Sequence, residues 1–416
     1  MPAPVWLHLA MPIVLARQRR AVFSRRWLQV AAAAMFINTS YGTLSYAFSV
    51  FVTESGPGGE FGAGVVSAGF GAALLVSGVS GIFAGTVADL LGTRRLMAGG
   101  AVLGCGGLAL LAAAREPWQF VAVLAVVLGP AMAATFYEPV YVLMNRWFPA
   151  EERPRAYGVL TLLSGFSITI FTPLTRWLVD GLGWRAAMVV LGGILLAAGT
   201  AVPAVIREPA APARERLTPQ GFLREAAAGV RQANRAFWLF TLAFFVATVA
   251  FSGFQFHLVA GLEGRRFAPG GVAWAIAVTG IVSLPARLLL PLLSERISSP
   301  ALLALCFTGV AGAALTTAVA DSWWQVWVVV GLFGTVFGAI YPLRALVISE
   351  RFAGPYFGRL IGLQALFVAT GRAAGPAAIG LAGTSPPGYE LGFRVAAAVL
   401  VASAAVTWRA LGRRPG

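Results

Sequence analysis

The chain contains no lysine: all 31 of its basic residues are arginine, set against 16 acids, and charged residues fill only 11% of its 416 positions. So little charge, with 58% hydrophobic residues and a mean hydropathy of +0.79, excludes a soluble domain of this length. In a soluble protein the arginine excess would suggest nucleic acid. Here most arginines fall in short loops on alternate sides of apolar runs, where they orient a membrane protein and form no phosphate-binding face. Cysteine is almost absent too. Cys105 and Cys306 both lie inside apolar runs, which excludes a disulfide framework and a cysteine metal site. With no nucleotide loop, metal cluster, or nucleophile and base pair, the sequence gives no basis for an enzyme or a cofactor.

What is present is a series of apolar runs near 27–52, 63–88, 95–114, 118–144, 155–179, 185–206, 237–261, 271–293, 300–319, 323–349, 356–382 and 391–411. A spanning helix needs roughly 20 mostly apolar residues, so the expectation is an all-α integral membrane protein of twelve transmembrane helices. The organisation expected is an N-terminal segment (1–26), a first six-helix bundle (27–206), a polar linker (207–235) with a short surface helix after Pro219, a second bundle (236–411) and a tail (412–416). The apolar stretch before Arg17, Arg19 and Arg20 reverses the order of a signal peptide; it fits an interfacial segment or a misassigned start. The loops rich in arginine and both termini fall on one side, so the expected setting is a cell inner membrane with both termini cytoplasmic.

The halves repeat at an offset of roughly 200 residues. Gly183-Trp184-Arg185 answers Gly392-Phe393-Arg394, Tyr137-Glu138-Pro139 answers Ile340-Tyr341-Pro342, Gly158 answers Gly358, and Gly42 with Tyr46 answers Gly253 with His257. Two pseudo-symmetric bundles follow, with any ligand site between them.

Between the second and third runs lie Gly85, Asp89, Gly92, Arg94 and Arg95, in the pattern G-x-x-x-D-x-x-G-x-R-R. A small residue at 85 allows close helix approach, Gly92 suits a tight turn, and Asp89 can face a helix N-terminus or an arginine. This stretch resembles the signature loop of the major facilitator superfamily, which implies that fold and a conformational latch made by these five residues. Pro291 to Arg296 is a decayed second copy, with Pro for Gly and Glu295 for Asp.

Within the superfamily, the first helix, from Phe36 through Asn38, Tyr41 and Ser45 to Phe51, resembles that of the monocarboxylate transporter branch, which includes oxalate:formate antiporters. Ser283 to Arg287 is similar in spacing to the segment carrying that branch's substrate-binding arginine, and Thr370-Gly371-Arg372 resembles the place of a second basic residue. Ser45 and Ser283 stand where animal monocarboxylate transporters have the lysine and aspartate linked to proton coupling, so the resemblance does not carry that route over.

Arg287, Arg344 and Arg372 lie inside apolar runs, where each costs about 2.5–3.5 kcal/mol on insertion scales. Glu138 is the one acid well inside a run. Three cations against one acid favour an anionic substrate held by guanidinium forks; structural pairing of the arginines is the rival. Asn38, Tyr41 and Ser45 share one face of the first helix, and Thr248, Ser252 and Gln255 one face of the seventh. They would complete a central site with Ser283, unless they serve helix packing. Glu138 and Arg344 occupy repeat-related positions and are expected to form a gate ion pair; Glu138 as a proton carrier is the alternative. His257 is the other titratable candidate for coupling, against a simple hydrogen-bonding role.

The expected activity is alternating-access transport of a small mono- or dicarboxylate-like anion by a monomer, with a coupling proton or a counter-anion left open. The alternative is export of drugs or other amphiphilic metabolites.

Overall fold

The computed structural model describes residues 25–52, 56–208, 233–352, 354–382 and 386–411, with scattered positions from 221 to 231. The N-terminal arginines up to Arg20, most of the linker and the tail lie outside the described residues. Those described are almost entirely helical. Helix 1 covers 25–51 and is followed by helices 2 (Ala63–Leu90), 3 (Thr93–Ala113), 4 (Pro117–Trp147), 5 (Arg153–Leu182) and 6 (Trp184–Val205). Helices 7 (Arg235–Gly264), 8 (Pro269–Leu293), 9 (Ser299–Val319), 10 (Trp323–Arg351), 11 (Phe357–Gly380) and 12 (Pro386–Leu411) form the second set. Ten of these are long and apolar enough to cross a bilayer. Helix 1, interrupted by a π-helical turn at Gly42–Tyr46, and helix 11, which carries Arg359, Gln364 and Arg372, complete twelve among the described residues. A short helix at Pro57–Phe61, not expected from the sequence, joins helices 1 and 2 and is held by Glu60 to Arg185 at 2.6 Å.

Helices dominate because hydrocarbon offers no hydrogen bonds, so each peptide group must be satisfied within its own segment. Interruptions therefore need a substitute partner. Pro139 has no N–H for the carbonyl of Thr135, four residues earlier. Helix 4 breaks at Phe136, whose backbone is extended (φ −79°, ψ −161°), and Ser40 Oγ of helix 1 donates to the freed Thr135 carbonyl at 2.9 Å. Helix 10 breaks at the corresponding place, just before Pro342, and restarts at Ile340. The Tyr-Glu-Pro and Ile-Tyr-Pro repeats thus mark paired breaks, which hydropathy alone does not reveal.

The seam between the halves is lined by glycine. Helix 2 lies along helix 11, with Gly78 against Leu366 and Ala369, Gly81 against Gly362, and Gly85 against Gly358. A Cβ on Gly81 would sit 3.0 Å from the Gly362 carbonyl oxygen, and one on Gly85 would collide with that of Gly358. Helices 5 and 8 meet likewise, Gly158 against Leu288 and Gly165 against Leu284 and Arg287. Both contacts run from the arginine-rich ends of the helices towards their middles. There the halves are drawn together.

Replacing Gly85 with Val should force helix 2 from helix 11. A single reporter cysteine at position 349, at the same end of helix 10, is expected to react several-fold faster with a soluble maleimide in that variant; an unchanged rate would show that the contact does not hold this end shut.

Candidate functional site

At the arginine-rich end, Asp89 finishes helix 2 beside the start of helix 11. Its carboxylate accepts from the backbone amides of Gly358 and Arg359, each at 3.2 Å. These are first-turn amides, lacking intrahelical partners and carrying the positive end of the helix dipole. Arg359 and Arg146 add guanidinium nitrogens 3.9 Å from the same carboxylate. Asp89 therefore faces both a helix N-terminus and arginines. Gly92, at φ +94°, lets the chain turn into helix 3. Arg94 and Arg95 lie exposed at the start of that helix, whose free amides at Thr93 and Arg94 donate to Glu208 at 2.8 and 3.2 Å. Glu208 also pairs with Arg146 at 2.7 Å. Sequence reasoning missed Glu208, Arg146 and Arg359, because only the folded chain brings the end of helix 6 and the start of helix 11 to the loop.

Further contacts at this end also cross between halves. Arg155 pairs with Glu295 at 2.9 Å, Arg153 donates to Ser349 Oγ at 3.0 Å, and Ser349 donates to Asn145 Oδ1 at 2.8 Å. Deeper in, Arg344 Nη2 donates to Glu138 Oε1 at 2.9 Å. Arg344 is 2% exposed, and its guanidinium lies 5.9 Å from the Phe244 ring. At the opposite end the ion pairs Glu60–Arg185, Asp180–Arg176, Glu390–Arg265 and Glu390–Arg394 each stay within one half. The described contacts thus close the arginine-rich end and leave the halves less tied at the other.

Above the Glu138–Arg344 pair, cations of the second half face aromatic residues of the first. Tyr41 stacks on Phe136 at 3.9 Å and lies 5.1 Å from Tyr137 and 6.2 Å from Tyr46. Arg372 is within Coulombic reach of Tyr41, Tyr46, Tyr341 and Glu138, and Arg287 of Tyr137. Arg372 is solvent-accessible on helix 11. Arg287 packs its side chain against Gly165 and Gly338, with Nε buried and free of any hydrogen bond. Tyr46, Tyr137 and Tyr341 are absent from the set expected in the sequence; the repeat that flags Glu138 was also their signal, since two of them flank the paired prolines.

The remaining expected residues divide. Ser45 lies half-buried in the π-helical turn beside Tyr46. Asn38 ties helix 1 to helix 5, donating to the Leu163 carbonyl at 3.4 Å while its own carbonyl accepts from Ser167 at 2.6 Å. Ser283 is 2% exposed and donates to the Gly280 carbonyl of its own helix at 2.7 Å, so its hydroxyl is engaged away from the tyrosines. Thr248 bonds the Phe244 carbonyl of its own helix and Ser252 bonds helix 11, so neither hydroxyl is free, while Gln255 is exposed. His257 lies against the Pro376 carbonyl at 2.9 Å.

Breaking a buried ion pair by deleting one partner costs about 3–5 kcal/mol, because the other is left uncompensated. Glu138→Ala and Arg344→Ala are each expected to lower the melting temperature in detergent clearly, and the double variant by much less than their sum. Additive losses would show that the two charges are not coupled.

A profile of the Major Facilitator Superfamily matches residues 22–268. Monocarboxylate transporter 13 of Rattus norvegicus is 25% identical over 389 residues, covering 91% of this chain and 87% of its own. Multidrug resistance protein MdtG of Serratia proteamaculans is 26% identical over 351 residues, covering 83% of this chain and 84% of its own. Among solved structures, the human organic anion transporter MFSD10 (TETRAN) superposes with a TM-score of 0.74 at 14% identity, over 92% of this chain and 99% of that one. The E. coli fucose:proton symporter FucP gives 0.67 at 14% identity, over 92% and 99%. The helical arrangement, the loop after helix 2 and these similarities agree: the chain belongs to the major facilitator superfamily, a family of multi-pass membrane transporters.

Proposed function

We propose that this protein is a secondary active transporter, not an enzyme, that carries a small organic anion with one or two carboxylates across a cell inner membrane. The observation that carries this reading is that two arginines of the second half, Arg287 with its Nε buried and free of any hydrogen bond and Arg372 exposed on helix 11, lie near tyrosines of helices 1, 4 and 10. Arg344 has Glu138 as its counter-ion. Arg287 and Arg372 make no ion pair among the described residues, so a carboxylate would find two forks with geometry suited to bidentate binding. Phenol hydroxyls add further donors. A site so rich in donors and poor in acceptors suits an anion and repels a cation.

Alternating access then assigns the rest. Units 27–206 and 236–411 rock about the midplane, joined by the linker 207–235. With the arginine-rich end cytoplasmic, the conformation described is closed towards the cytoplasm. The loop from Gly85 through Asp89 and Gly92 to Arg94 and Arg95 is its latch, and Glu138–Arg344 its inner gate. The carrier acts as a monomer, and its charge is balanced by exchange for a second anion or by co-transport of a proton. Export of amphiphiles is the second reading; the similarity to the multidrug resistance protein and the aromatic walls favour it.

Counterflow in proteoliposomes with labelled lactate, pyruvate, oxalate and tartrate tests the reading. Wild type should accumulate at least one of these. Arg287→Ala and Arg372→Ala are each expected to reduce uptake at least about tenfold, since truncating a guanidinium that binds a carboxylate costs about 2 kcal/mol or more. Full uptake by both variants would falsify the anion site.

A further inference from the structure

The polar contacts between helices 7 and 11 fall one turn before a proline and at that proline's own carbonyl. Pro376 lies inside helix 11 and, having no N–H, leaves the carbonyl of Arg372 without its helical donor. Ser252 of helix 7 lies against that place: its Oγ, with one proton to donate, is 3.2 Å from the Gly371 carbonyl oxygen and 3.4 Å from those of Arg372 and of Val249 in its own helix. Further along the same helix, His257 Nε2 lies 2.9 Å from the Pro376 carbonyl oxygen. A carbonyl only accepts, so this nitrogen bears a proton. His257 is 8% exposed, with its ring 5.5 Å from that of Tyr389. Between the two contacts the helices touch at glycine. A Cβ on Gly253 would lie 2.5 Å from the Gly375 carbonyl oxygen, and one on Gly375 would collide with Ser252 Oγ.

We propose that Ser252 and His257 are positioning residues for Arg372, gripping helix 11 one turn before its proline and at the proline's own carbonyl, and so fixing where the guanidinium is presented. The inference rests on the reading of Arg372 as an anion-binding residue. A proline inside a helix creates a bend, and the bend angle is set by whatever holds the two segments. Here the holders are two donors, both carried by helix 7. Ser252 has a second effect. The Arg372 carbonyl is a negative dipole end next to the group meant to meet an anion, and the serine hydroxyl keeps it turned towards helix 7. Loss of either donor frees helix 11 to rotate and moves the arginine relative to Tyr41 and Tyr46. In this arrangement His257 acts as a donor to a fixed carbonyl.

The test reads position 372 directly, without any substrate. In a background with Cys105 and Cys306 replaced by Ala, Arg372→Cys is the reporter and Leu391→Cys, exposed on helix 12, is the control for intact folding. Ser252→Ala and His257→Leu are each expected to change the rate of methanethiosulfonate labelling at 372 about fivefold, as the loss of one net hydrogen bond of about 1 kcal/mol implies. The rate at 391 should not move. His257→Gln, which keeps a donor at the same reach, should restore the rate at 372. Unchanged labelling at 372 in both Ser252→Ala and His257→Leu overturns the proposal. If labelling shifts as expected but Arg372→Ala, with its native partners, takes up the four labelled acids at the wild-type rate, the anion reading of Arg372 is what fails, and with it the purpose of the grip. When both hold, Ser252→Ala should raise the half-saturating concentration of the transported acid about fivefold with little change in maximal rate.

Discussion

A peptide carbonyl or a guanidinium buried in hydrocarbon has no water to turn to, so each must find a partner within the protein. That constraint organises this structure. Where Pro139 removes a donor from helix 4, Ser40 of helix 1 supplies one; where Pro376 does the same in helix 11, Ser252 of helix 7 lies against the freed carbonyl. Where helix 11 begins with unpaired amides, the carboxylate of Asp89 caps them from the other half. Helix 3 begins with the same need and is capped by Glu208. Each interruption therefore becomes a point at which one helix is tied to another. The arrangement of these ties decides which end of the molecule is shut.

The duplication explains why the ties come in pairs, and its decay explains why they differ. Asp89 corresponds through the repeat to Glu295, each carboxylate is paired with an arginine of the other half, Arg359 and Arg155, and both pairs join the halves at the same end. The first is nearly buried and includes two backbone amides; the second is a side-chain pair about half exposed. An exposed pair contributes about 0–1 kcal/mol, whereas a desolvated carboxylate at a helix N-terminus is bound more firmly. Gly85 permits that burial, since helix 2 and helix 11 touch there through backbone alone. At the corresponding place in helix 8 stands Pro291. The strength of closure is thus concentrated on one side of the pseudo-twofold axis.

The fold was legible because its signal is coarse: long apolar runs, arginines gathered in alternate loops, and a repeat. The loop after helix 2 could be read in detail for a different reason, since glycines and an acid at fixed spacing have few physical uses at a helix end. The breaks in helices 4 and 10 escaped because a break is one or two residues long and hydropathy does not change across it. Ser283 illustrates the limit at the site. Its position on the Arg287 side of helix 8 was readable, but that its hydroxyl turns to the Gly280 carbonyl of its own helix was not. Tyr46, Tyr137 and Tyr341 were overlooked because an aromatic residue in a membrane helix has many ordinary uses. Their nearness to Arg287 and Arg372, which lie on other helices, exists only in three dimensions.

That relation divides labour between the halves. The first half supplies rings and hydroxyls, which hold their places by stacking on one another, as Tyr41 does on Phe136 and Tyr137 on Tyr141. The second supplies full positive charges, which repel each other and need the single acid, Glu138, from across the interface. Glu138 is itself within Coulombic reach of Arg372 as well as bonded to Arg344. In this geometry one carboxylate, that of Glu138, ties a buried arginine of the second half to the first half.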